Sequence, residues 1–171
     1  MLGRGLPSVA RLLCLTALLG CTQLTCRQNR VWTDEVRLWQ HAARWAPQKP
    51  RPYINLGRAL ERIGDDAGAF TAYARAAEVS VDRRRASLVM AFAYAAAQTN
   101  LAHLHAKWGD GAMSLYLLDG VLADQPLFAP ALFNKAVLLA HRGQCAEAVR
   151  LWSVAQSLDA TLPANPCPES P

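Results

Sequence analysis

Apolar residues along this chain recur three and four positions apart, and few stretches alternate with period two. That spacing predicts helices throughout and an all-α fold. The pattern is unusual in residues 55–77, NLGRALERIGDDAGAFTAYARAA. Glycine stands at positions 57 and 64, and alanine occupies places where a core helix ordinarily holds leucine. Glycine inside a helix costs ~1 kcal/mol relative to alanine. A helix that accepts Gly57 is expected to meet a neighbour at close range there.

The small residues recur. Gly109 returns 34 positions later as Gly143, Ala102 as Ala136 and Ser114 as Ala148, while bulky Leu118 returns as Trp152. Gly57, Gly64, Ala69, Tyr73 and Ala76 form an earlier unit, offset from the next by 45 residues, one period plus 11. A fixed period of this length marks stacked repeats, each unable to bury its apolar face alone.

These residues resemble the tetratricopeptide repeat (TPR), a pair of antiparallel helices per 34 residues. Unit one (50–83) carries Tyr53, Leu56, Gly57, Leu60, Gly64, Ala69, Tyr73 and Ala76. Unit two (95–128) carries Leu101, Ala102, Gly109, Ser114, Leu118 and Pro126. Unit three (129–161) carries Leu132, Ala136, Leu139, Gly143, Ala148, Trp152 and Ala155. The chain departs from the motif at Val81 and Ala160, where a proline is usual, at Lys135, and at Gln98 and His105 in unit two, the weakest match. The resemblance implies small residues where helices cross within a unit, large Tyr53, Tyr73 and Trp152 between units, and turn glycines at 64, 109 and 143.

A half unit at 27–49 is expected before these, a second helix bearing Trp32, Trp39, Ala42 and Pro47, with Thr33 as its cap and Asp34 and Glu35 at its positive end. About three and a half repeats therefore form the expected α-solenoid. No glycine or proline interrupts residues 83–107, so the insertion at 84–94 is expected to lengthen the first helix of unit two. The proline-rich tail, 162–171, is expected to fray.

Residues 1–26 form an expected signal or anchor. Arg4 and Arg11 precede an apolar stretch at 12–20, and the apolar run 12–26 holds 15 residues against the ~20 that span a bilayer. Leu18-Leu19-Gly20-Cys21 resembles a bacterial lipobox, which makes Cys21 a candidate for lipidation. An uncleaved anchor remains the alternative, and both place the folded part on a membrane, facing an exported compartment. Residues 12–80 also resemble the junction between the last membrane helix and the TPR tail of multi-spanning, glycosyltransferase-like bacterial membrane proteins. Their membrane-embedded catalytic part has no counterpart in this sequence. Cys145 and Cys167 could pair in an oxidising compartment or remain as two thiols.

Composition narrows the chemistry. Eighteen Lys and Arg against 13 Asp and Glu give +5, or +3 without Arg4 and Arg11. The basic run Arg83, Arg84 and Arg85 has no interleaved aromatic residues, which argues against nucleic acid as a partner. His103 with His105, or His141 with Cys145, lack the further ligands a zinc site requires. Nucleophile elbows, P-loops and dinucleotide fingerprints are missing, so neither enzyme activity nor a cofactor is expected. Asp65, Asp66 and Asp110 fit helix caps.

The expected function is that of a protein-interaction adaptor. The resemblance puts the first helix of each unit on a concave groove, with Asn55, Asn100 and Asn134 at equivalent positions. In TPR proteins such asparagines contact the backbone of a bound peptide. Arg51, Arg58, Arg62, His103, Lys107, Phe133 and His141 would complete a mildly basic floor suited to an acidic or C-terminal peptide. Ile54 and Pro130 stand where the two-carboxylate clamp of chaperone-binding TPR domains has lysines. A detached accessory region of a multi-spanning transferase is the second expectation, and self-association through the end helices is the third.

Overall fold

Eight helices and no strand are present among residues 8–81 and 87–167, which the computed structural model describes. They are α1 (Ser8–Thr33), α2 (Glu35–Trp45), α3 (Pro50–Arg62), α4 (Asp66–Val81), α5 (Leu88–Lys107), α6 (Gly111–Asp124), α7 (Ala129–His141) and α8 (Cys145–Leu158). The pairs α3–α4, α5–α6 and α7–α8 are hairpins, and α3, α5 and α7 lie side by side as a layer. This is the helical-hairpin solenoid expected from the 34-residue period.

Each hairpin turn has the same construction. Gly64, Gly109 and Gly143 adopt φ of +83°, +84° and +76°, a region open to glycine at little steric cost. The next residue's N–H then reaches back to close the helix: Asp65 to the Leu60 carbonyl, Asp110 to His105 and Gln144 to Leu139, at 2.8–2.9 Å. Asp65 and Asp110 cap the following helices, accepting from the N–H of Gly68 (2.8 Å) and Met113 (3.0 Å). Asp66 does not cap. It lies in the first turn of α4 and pairs with Lys107. Gln144 occupies the third cap position without a side-chain hydrogen bond. Gln144→Asp should therefore raise stability by about 1 kcal/mol, measured by urea denaturation.

The close approach expected at Gly57 is present, but its partner differs. A β-carbon there would fall 2.6 and 2.7 Å from Cδ1 and Cζ of Tyr73, so the ring, and not Ala69, lies against the glycine. Tyr73 is fully buried and packs with Leu60, Ala69, Ala72, Leu101 and Leu104. It fills its own hairpin and reaches the next. Its hydroxyl donates to Glu61 Oε2. Burial, then that hydrogen bond, push the phenol well above its ordinary pKa and keep it a donor.

Four boundaries differ from expectation. Helix α1 runs without interruption through Cys26 to Thr33, because residues 27–32 contain no breaker; Asp34, not Thr33, caps α2 by accepting from the Arg37 N–H at 3.1 Å. In α2 the buried alanine is Ala43, with Ala42 half-buried. Helix α5 begins at Leu88, after an extended Ser87 that interrupts the long helix expected from residue 83. The expected helix at 83–86 lies outside the described residues. The tail is held as far as Cys167, which is 3% exposed and bonded to Cys145; the Trp152 indole donates to the Pro163 carbonyl at 3.0 Å. Trp152, expected between units, thus meets the tail through its indole.

Among the described residues no helix is long and apolar enough to cross a membrane. Helix α1 nonetheless exposes Val9, Leu12, Leu13, Leu15, Leu18, Leu19 and Leu24, each more than half accessible.

Candidate functional site

The side-by-side first helices create two adjoining depressions. One, of about 440 Å³, lies between α3 and α5 and is lined by Arg58, Glu61, Arg62, His103 and Lys107. The other, of about 580 Å³, lies between α5 and α7 and is lined by His103, Ala106, Lys107, Ser114, Asn134, Val137, Leu138 and His141. His103 and Lys107 belong to both, so the two depressions adjoin and together make a groove lined from α3, α5 and α7. Residues on each helix recur at three- and four-residue spacing, which puts them on one face.

Six of the expected groove residues meet there: Arg58, Arg62, His103, Lys107, Asn134 and His141. The lining does not include Arg51, Asn55, Asn100 or Phe133. Arg51 is exposed near the start of α3, and Asn55 and Phe133 are half-buried. The Asn100 amide nitrogen is buried with no hydrogen-bond partner. The expected ladder of three asparagines is thus represented in the lining by Asn134.

The electrostatics also differ from a basic floor. Arg62 pairs with Glu35 of α2 at 2.6 Å, and Lys107 with Asp66 of α4 at 2.7 Å. Glu61 sits among the cations, with His103 Nε2 at 3.8 Å and the Tyr73 hydroxyl donating to it. Three carboxylates therefore stand against Arg58, Arg62 and Lys107, and the groove is close to neutral. Sequence reasoning missed Glu61 because it falls off the signature. The spacing to Arg58 and Arg62 could have placed it on the same face.

His105 faces away from the groove, packed against Phe70 and Trp108, with Nδ1 3.4 Å from Asp110 Oδ2. Cys145 is committed to its disulfide. Among the described residues no group of three His, Cys, Asp or Glu is placed to hold a metal ion.

No family model matches the chain, and no curated protein matches it. Among solved structures, the crystal structure of MamA matches over 78% of this chain and 93% of that chain, at 16% identity and a TM-score of 0.40. Likeness at that level carries no argument, so the groove is read from its own residues.

Proposed function

We propose that this protein is a non-enzymatic interaction scaffold that holds a peptide segment of a partner in the groove across α3, α5 and α7. The observation that carries this reading is that two depressions adjoin along the first helices and share His103 and Lys107. A rigid concave surface built from successive hairpins binds without rearranging, which keeps the ordering cost of association low.

Membrane attachment through α1 belongs to the same proposal. A helix exposing leucines over most of its length needs an apolar cover, and lipid supplies one. Cys21 is an exposed free thiol on α1, open to acylation. The Cys145–Cys167 bond fits an oxidising, extracytoplasmic location for the repeats. The second reading, an accessory region of a multi-spanning transferase, draws on the near-continuous passage from α1 into α2, broken at Asp34 alone. An upstream reading frame encoding further apolar helices would favour it.

Capture from the native membrane fraction tests the scaffold. Full-length bait should retain a defined partner, and bait carrying His103→Ala, Lys107→Ala and Asn134→Ala should lose most of it while keeping its helical circular dichroism. Equal retention by both baits would move the binding surface elsewhere.

A further inference from the structure

The groove changes character along the solenoid, and the repeat register shows how. Arg58, Glu61 and Arg62 of α3 occupy the positions of His103, Ala106 and Lys107 in α5, and of Val137, Ala140 and His141 in α7. Charge declines from the first hairpin to the third. Where Glu61 projects a carboxylate into the first depression, Ala106 projects a methyl group, and the larger depression lies beside it. Its lining combines small Ala106 and Ser114 with aliphatic Val137 and Leu138, and polar His103, Asn134 and His141 complete it with Lys107, which is paired with Asp66.

Building on the groove reading above, we infer that the pocket between α5 and α7 takes one bulky apolar side chain, and that the partner is a peptide recognised through that anchor and not through carboxylates. Two observations converge. The pocket's volume of about 580 Å³ exceeds that of any single side chain and leaves space for adjoining peptide backbone. Of the cations that would attract an acidic peptide, Arg62 already pairs with Glu35 and Lys107 with Asp66, and Glu61 lines the same depression as Arg58. Attraction to carboxylates is therefore largely spent within the molecule, while the aliphatic wall remains uncovered. Asn134 offers both a donor and an acceptor to the backbone beside the anchor.

A displayed library of random dodecapeptides, selected on the full-length protein in detergent micelles, tests this. Enriched sequences should share a Phe, Trp, Leu or Met at one position, with no enrichment of Asp or Glu. Changing that residue to alanine should weaken binding by about tenfold or more, as expected for losing a buried anchor. Ala106→Leu, which fills the pocket with a good helix former, should weaken binding to a similar degree. Arg58→Ala should weaken binding less than Ala106→Leu does, and Tyr116→Ala, exposed on α6 outside the lining, should leave it unchanged. Val137→Trp provides a second filling variant, and circular dichroism verifies the fold of each. An acidic consensus lost on Arg58→Ala and indifferent to Ala106→Leu would overturn the anchor while leaving the groove in place. Failure to enrich any sequence that groove substitutions weaken would overturn both.

Discussion

Gly57→Ala should destabilise the protein by about 2 kcal/mol, although alanine is the better helix former. The added methyl meets the face of Tyr73, and both sides of that contact are confined. Tyr73 has no solvent exposure, is enclosed by Leu60, Ala69, Ala72, Leu101 and Leu104, and has its hydroxyl engaged by Glu61. The ring cannot withdraw without disturbing two hairpins. Overpacking a core of this kind costs about 1–3 kcal/mol, while the propensity gain returns ~1 kcal/mol at most. Gly57→Val should cost more. Tyr73→Ala alone should remove about 3–5 kcal/mol, the usual range for a fully buried aromatic side chain. Combining Gly57→Ala with Tyr73→Leu should relieve much of the steric term, so the double variant should be more stable than the sum of the singles predicts. Urea denaturation of the unaltered protein, Gly57→Ala, Tyr73→Leu and the double variant reads this directly. An unchanged midpoint for Gly57→Ala would mean that the ring does not lie against the glycine.

The second large effect concerns the tail. Removing the disulfide with Cys145→Ser and Cys167→Ser together should cost about 3 kcal/mol in the chain-entropy account, since the bond closes a loop across a separation of 22 residues. The loss should be felt at one end. Cys167 packs with Leu139 and Ala148 beneath the tail, and Trp152 donates to Pro163. Once freed, residues 159–167 should expose Trp152 and red-shift its fluorescence. Amide protection should fall in α7 and α8 before it falls in α3 and α4. Uniform loss across the solenoid would show that the last hairpin is not an independent end unit. No change at all would show that the tail holds without its bond.

Much of this arrangement was legible in the sequence, and the reasons differ by element. The hairpins were visible because glycine at positive φ marks each turn, 34 residues apart from Gly109 to Gly143 and 34 plus 11 from Gly64 to Gly109. Asp65 and Asp110 were visible as caps because they immediately follow those turns. The partner of Gly57 was not visible, since a small residue announces a close approach without naming what approaches. The tail misled because proline-rich composition predicts fraying, and whether two cysteines pair depends on a fold that spacing alone does not give. In the groove, repeat register names Arg58, Arg62, His103, Lys107, Asn134 and His141, which line the two depressions. Its charge balance was hidden, because Glu35 and Asp66 arrive from neighbouring helices that a single-helix reading does not consult.

The central claim is that a partner occupies the groove, and site-specific photo-crosslinking in the native cells tests it most directly. Benzoylphenylalanine placed at Asn134, in the groove, is compared with the same group at Tyr116, exposed on α6 and outside the lining. The account predicts a discrete protein adduct from position 134 and none from position 116. Adducts from position 116 alone, or from neither position, would contradict it.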